Sequence, residues 1–194
     1  LSAQTTLDLS YEKASHERFI DRGIPTLNGE PVEAFEEITF GDKDVNVTTL
    51  EAHIFKGILS HEFSENRKGN LTVVYNDFEK MYRNYYASGY SGGDTVTMDG
   101  YLDPTERKNL IISGNVVNEF ETGSVSHTLL VGAEIIDTEN DNWRYNTFFI
   151  TTEDDNEVFN ITRPIDFTVN AAGQSTYNDF TSVLTSMTRS DIKV

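Results

Sequence analysis

The chain has 194 residues, with 15 Lys+Arg against 32 Asp+Glu, a formal net charge of −17, no Cys and a single Trp. So acidic a surface repels nucleic acid, and the lack of Cys excludes disulfides, thiolate metal sites and Cys nucleophiles. No stretch nears the roughly 18–20 apolar residues of a membrane helix, which excludes a helical membrane protein but not one that crosses with strands. The N-terminal LSAQTTLDLSYEK does not have the pattern of a signal peptide.

Helical periodicity is almost absent, and period-two alternation replaces it. Thr6 to Tyr11 sets Leu7, Leu9 and Tyr11 against Asp8 and Ser10. A long loop at about 21–45 follows, ending on the acidic GDKD of Gly41–Asp44. Thr49 to Phe63 places Phe55, Gly57, Leu59, His61 and Phe63 on one face, with Lys56, Ser60 and Glu62 on the other. The SENRKG turn at 64–69 leads into Asn70–Tyr86, where Leu71, Val73 and Tyr75 share a face. The parity then moves to Phe78, Tyr82 and Tyr86, which predicts either a bulge or a departure from an apolar environment. A second long loop is expected over 87–105, around SGYSGGD.

The clearest alternation runs from Asn109 to Glu121, with Leu110, Ile112, Val116 and Phe120 on one parity. A tight ETGS turn at about 121–125 reverses the chain into Val125–Ile136, where His127, Leu129, Val131 and Ile135 continue the scheme. A third long loop is expected at 140–180, and a last strand from near Ser182 to Val194.

These strands read as about 12–18 residues long, against the 5–6 usual in globular proteins. Long alternating strands, with short turns at one end and long loops at the other, describe an antiparallel transmembrane β-barrel. The 37% hydrophobic content fits, because only every second residue need face lipid. The acidic charge is expected in the long loops. The other reading is a soluble all-β binding or adhesion module whose acidic loops hold a sugar or calcium; shorter strands and more frequent turns would favour it.

Two aromatic groups are candidate ligand contacts: Tyr82, Arg83, Tyr85, Tyr86 and Tyr90, and Trp143, Arg144 and Tyr145. Tyr rings and an Arg suit a planar anionic chelate, but an interfacial girdle or packing within a loop uses the same residues. Asp42–Asn46 begins like a calcium loop, yet Val47 stands where the required Gly belongs and His53 where the Glu belongs. The four His are scattered, with no metal-ligand spacing, and no nucleophile motif or carboxylate pair forms a catalytic set. Neither an enzyme, a metal site nor a cofactor is expected.

DRGIPTLNGEPVE (Asp21–Glu33), the segment from SHEF to YASGY (Ser60–Tyr90) and NEFETGSVSHTLLVGAEI (Asn118–Ile135) resemble TonB-dependent outer-membrane receptors of the ferric-siderophore branch. The resemblance implies a bacterial outer-membrane location and about six strands of a 22-stranded barrel, with the plug domain absent from this chain. It also implies a ferric siderophore as ligand, the TonB complex as a partner through the missing N-terminal part, and contact with outer-membrane lipid and lipopolysaccharide. The short turns 64–69 and 121–125 would then be periplasmic and the long loops extracellular.

Overall fold

The structure is a computed structural model describing residues 3–162, 166–178, 180 and 183–194. In chain order the strands are β1 (Thr5–Phe19), β2 (Thr26–Leu27), β3 (Glu30–Pro31), β4 (Val47–Ser64), β5 (Arg67–Gly89), β6 (Thr95–Thr122), β7 (Val125–Asn146), β8 (Asn156–Asn160) and β9 (Val183–Lys193). Regular helix is confined to one 3₁₀ turn, Glu33–Phe35, among the described residues. The fold is all-β and antiparallel. One sheet carries the order β1-β4-β5-β6-β7-β9, with β8 pairing β6, and β2-β3 is a small separate hairpin. The sheet is not closed: β1 and β9 form its two edges.

β4, β5, β6 and β7 pair in succession through short connections, so their register is set locally, whereas β1–β4 and β7–β9 pair across long ones. Gly123 supplies the positive φ (64°) that the two-residue turn between β6 and β7 needs at its first position. The register then carries the sequence alternation across the sheet. Leu9, Gly57, Val73, Ile112 and Ile135 form one transverse row, and Leu7, Leu59, Leu71, Gly114 and Ala133 the next. Because one row is one face, five strands present a continuous aliphatic surface. Tyr11, Phe55 and Tyr75 close it at one end, with ring centroids 4.7 and 6.5 Å apart. At the other end His61 packs edge-on against Phe63 at 4.7 Å and Phe120 stacks on His127 at 5.0 Å. Most large side chains on this surface are exposed, Leu9 at 76% and Ile135 at 62%.

The opposite, polar face of the same region carries most of the charged residues, interspersed with Ile58, Val74, Ile111, Val117, Leu130 and Ile136. Asp8, Lys56, Glu62, Glu119 and Glu134 all lie on it, whereas the three aliphatic rows through Ile112, Gly114 and Val116 hold no charged residue, and Arg67 with Asn118 stands in the row beyond Val116. Asn70 and Asn115 exchange side-chain hydrogen bonds there at 3.3 and 3.1 Å.

Beyond Tyr11, Phe55 and Tyr75 the sheet continues, and this distal part departs from expectation. The segment 87–105 is not a long loop: β5 reaches Gly89, β6 starts at Thr95, and only residues 90–94 connect them. The parity change after Tyr75 is not a bulge, since the β5–β6 register is continuous from Arg67 to Ala87. The apolar face changes instead because its cover changes. Here Phe40 from the 20–46 connection and Phe149 and Phe159 from beyond β7 bury Tyr85, Val96 and Met98 in a small core. Asn46, fully buried, acts as an extra rung: its Nδ2 donates to the Tyr85 carbonyl at 2.9 Å and its Oδ1 accepts from the Tyr85 N–H at 2.8 Å.

The loop expected at 140–180 likewise shortens, with β7 running to Asn146 and β8 inside it. The turn expected at 64–69 is two residues, because β5 begins at Arg67. The first loop matches its expected span closely, with β4 starting at Val47. Ser182, where the last strand was expected to begin, lies outside the described residues; the strand is seen from Val183. The acidic charge is not confined to loops either, since Glu51, Asp77, Glu79, Glu106 and Asp141 sit in the distal strands.

Candidate functional site: an aromatic cleft on the polar face

Tyr82 and Tyr86 lie four residues apart on β5, so alternation puts both on the polar face. The register sets Tyr82 opposite Asp103 and Tyr86 opposite Asp99 on β6, with Tyr101 between them. Arg144 of β7 reaches the same patch. The result is a cluster of three Tyr rings at the distal end of the sheet, outside the aliphatic band.

Its geometry is well defined. Tyr82 and Tyr101 stack with centroids 5.9 Å apart, and Tyr86 meets Tyr101 edge-on at 6.0 Å. Arg144 lies 4.2 Å from the Tyr101 centroid and is held by a two-pronged contact with Asp103, Nε donating to Oδ1 at 2.8 Å and Nη2 to Oδ2. From the β1–β4 connection, Arg22 lays its guanidinium 4.1 Å from the Tyr86 centroid and 5.5 Å from that of Tyr101. Its Nη1 donates to the Tyr101 hydroxyl at 3.1 Å and to Asn84 Oδ1 at 3.4 Å. The Tyr86 hydroxyl donates to Asp99 Oδ2 at 2.9 Å.

The electrostatics follow from partial burial. Burial and the Asp99 hydrogen bond push the Tyr86 phenol up to about 12, and burial raises Tyr82 as well. Asp99 is raised by burial, against the opposing hydrogen bonds from Tyr86 and the Gly100 N–H. The Asp103 contact raises Arg144. At neutral pH both shifted tyrosines therefore keep their protons and offer uncharged ring faces, which attract cations through their quadrupoles.

Of the residues expected from sequence, the structure brings together Tyr82, Tyr86 and Arg144. The others lie elsewhere. Arg83 takes the opposite face, where Nε donates to the Val45 carbonyl at 3.0 Å and ties down the connection before β4. Tyr85 is buried at 5% exposure, with Phe167 stacked on it at 4.3 Å and Asn178 at its hydroxyl. Tyr90 packs edge-on against Phe35 at 5.1 Å and donates to the Gly93 carbonyl at 3.1 Å. Trp143 and Tyr145 flank Arg144 and so face away from it, opposite Met187 and Leu184 of β9.

Arg22, Asp99, Tyr101 and Asp103 were missed. The signal for three of them was present: from Val96 to Asp103, apolar Val96, Met98 and Leu102 alternate with Thr97, Asp99, Tyr101 and Asp103. The neighbouring glycines and Pro104 disguised it as loop. Arg22 carried no local signal, because its place depends on how the β1–β4 connection crosses to β5 and β6.

The calcium-like start at Asp42 is an ordinary turn. Asp42 Oδ1 accepts from the Asp44 N–H at 2.7 Å, and Asn46 is engaged with Tyr85. Among the described residues no group of three or more His, Asp or Glu converges to hold a metal ion. Comparison with protein-family models and with curated proteins gives no match.

Proposed function

We propose that this chain is a wall section of an outer-membrane β-barrel that serves as a TonB-dependent ferric-siderophore receptor, with the aromatic cleft among its ligand contacts. One observation carries the membrane reading: an exposed aliphatic band, bracketed by aromatic rows and with three central rows free of charge, lies on one face of a long-stranded sheet. From Leu110 to Phe120 is ten residues of β6. At about 3.3 Å per residue and a tilt of about 40°, that spans roughly 25 Å, the apolar height of an outer-membrane barrel.

On this reading the polar face lines a lumen and the distal strands rise above the outer leaflet. The open edges at β1 and β9 are where further strands would continue the wall, since unpaired backbone is not tolerated in hydrocarbon. Energy for transport would come from the TonB complex, so no hydrolytic site is needed here. The acyl chains of the membrane would cover the aliphatic face, which a soluble binding module would have to bury under a second sheet. Among the described residues only the distal part of that face has such a cover.

The receptor reading is tested by titrating the detergent-solubilised chain with ferric chelates and following Trp143 fluorescence, which bound iron quenches. Saturable quenching is expected, weakened about tenfold by Tyr101→Ala, because a stacked ring contributes on the order of 1 kcal/mol or more. Absence of saturable binding for catecholate and hydroxamate chelates alike contradicts it.

A further inference from the structure

Arg22 stands out within the cleft. Three other cations nearby have a fixed role or a place outside: Arg144 is matched by Asp103, Arg83 is bound to backbone carbonyls, and Arg18 approaches only the Tyr82 end. Arg22 has no carboxylate in ion-pair contact among the described residues, in a chain with 32 of them. It is exposed, comes from a connecting segment rather than a strand, and covers the faces of two rings that the strands hold rigidly.

Removing Arg22 in thought exposes what the strands alone have built. Tyr86 and Tyr101 meet edge to face, forming a corner open to the polar side. Behind Tyr86 lies Asp99, with Asp155 close enough to push it up further. Arg144 is matched by Asp103 and already lies 4.2 Å from the Tyr101 centroid, so the corner is left with the Asp99 carboxylate and the uncovered face of Tyr86 beside the Tyr101 ring. Such a corner repels a carboxylate and attracts an ammonium or guanidinium group.

We propose that the Tyr86–Tyr101 corner is a recognition site for an organic cation on the incoming ligand, and that Arg22 is the internal group such a cation displaces. The inference rests on the receptor reading for the identity of the ligand, a ferric chelate bearing a pendant ammonium or guanidinium, but not for the existence of the site. The chain's charge of −17 acts in the same direction, steering a cationic chelate toward the protein and an anionic one away. Displacement would also free the start of the β1–β4 connection from the polar face, while Phe40 and Asn46 hold its other end through the distal core.

The test uses the full chain in detergent and two probes of similar shape, butylguanidinium and neutral butylurea, with Trp143 fluorescence and calorimetry as readouts. Butylguanidinium should bind saturably and roughly tenfold more tightly than butylurea. Arg22→Gln should tighten it several-fold by removing the competitor, Tyr86→Leu should abolish it, and Tyr86→Phe, which keeps the ring, should retain it. Equal binding of the two probes, or weaker guanidinium binding in Arg22→Gln, overturns the proposal. The two readings fail separately. Chelates that bind while neither probe does leave the receptor and remove the cation site; a guanidinium that binds while no chelate does removes the receptor and leaves the site.

Discussion

Single residues at the distal end show how little room the cleft's supports leave. Gly100 sits between Asp99 and Tyr101, and a Cβ there would lie 2.6 Å from the Asn84 carbonyl oxygen and 2.8 Å from Thr147 Cγ2. The first of these is backbone and cannot swing aside. Gly100→Ala should therefore cost about 1–3 kcal/mol through overpacking, seen as a lower midpoint in denaturant unfolding. It should also loosen Tyr101, so ring stacking with Tyr82 would weaken in the same variant. Tyr86 gives a second prediction. Its phenol is raised to about 12 from an ordinary value near 10, by burial and by Asp99. A folded-state value above the unfolded one means the native state holds the proton more tightly. The resulting stability is fully present below about pH 10 and is lost as pH rises through about 12. Absorbance titration should show Tyr86 among the late-forming tyrosinates, and Tyr86→Phe should remove its share of the late phase and the accompanying loss of stability.

At the scale of the strand, the governing fact is that alternation assigns neighbours to different faces. Leu130 and Val131 are adjacent, both apolar and similarly exposed at 64% and 61%, yet they lie on opposite faces of β7. If the aliphatic face meets lipid, Val131→Arg should cost about 2–4 kcal/mol of stability in a bilayer. Leu130→Arg should cost far less. Assembly into vesicles, followed by protease protection, separates the two variants; equal behaviour would argue against a lipid-facing side.

The strands were legible from sequence where one face stays apolar from end to end, as in Asn109–Ile136, because the pattern then repeats every second residue. They were not legible where tertiary cover decides the matter. The second half of β1, from Glu12 to Phe19, has little apolar alternation and forms strand by pairing with Leu50–Thr49 and their neighbours in β4. Thr95–Asp103 was hidden by the glycines before it and the proline after it, although its own alternation was clear. The cleft was half legible for the same reason: Tyr82, Tyr86 and Arg144 stood out as aromatic and cationic residues, whereas Tyr101 lay in an unrecognised strand and Arg22 arrives through a long connection. Arg83, Tyr85, Trp143 and Tyr145 matched by residue type but sit on the other parity, which a search by composition does not resolve.

Across the whole molecule, one sheet presents four surroundings. The proximal part has an aliphatic face and a polar face with nothing between them but the strand backbone. The distal part has its own small core on one side and the aromatic cleft on the other. Stability should divide along the same line. On the proposed reading the distal core holds its region in water, whereas the proximal aliphatic face, which has no protein cover among the described residues, would need detergent or lipid. The central claim is that this face is the lipid-facing wall of a barrel. The absence of native Cys makes a nitroxide scan direct, with single Cys substitutions from His127 to Ile135 in the chain reconstituted into vesicles. The account predicts oxygen accessibility peaking at His127, Leu129, Val131, Ala133 and Ile135, and accessibility to a water-soluble nickel complex peaking out of phase at the residues between. Two accessibilities that rise and fall together, with the odd-numbered positions open to the nickel complex, would contradict it.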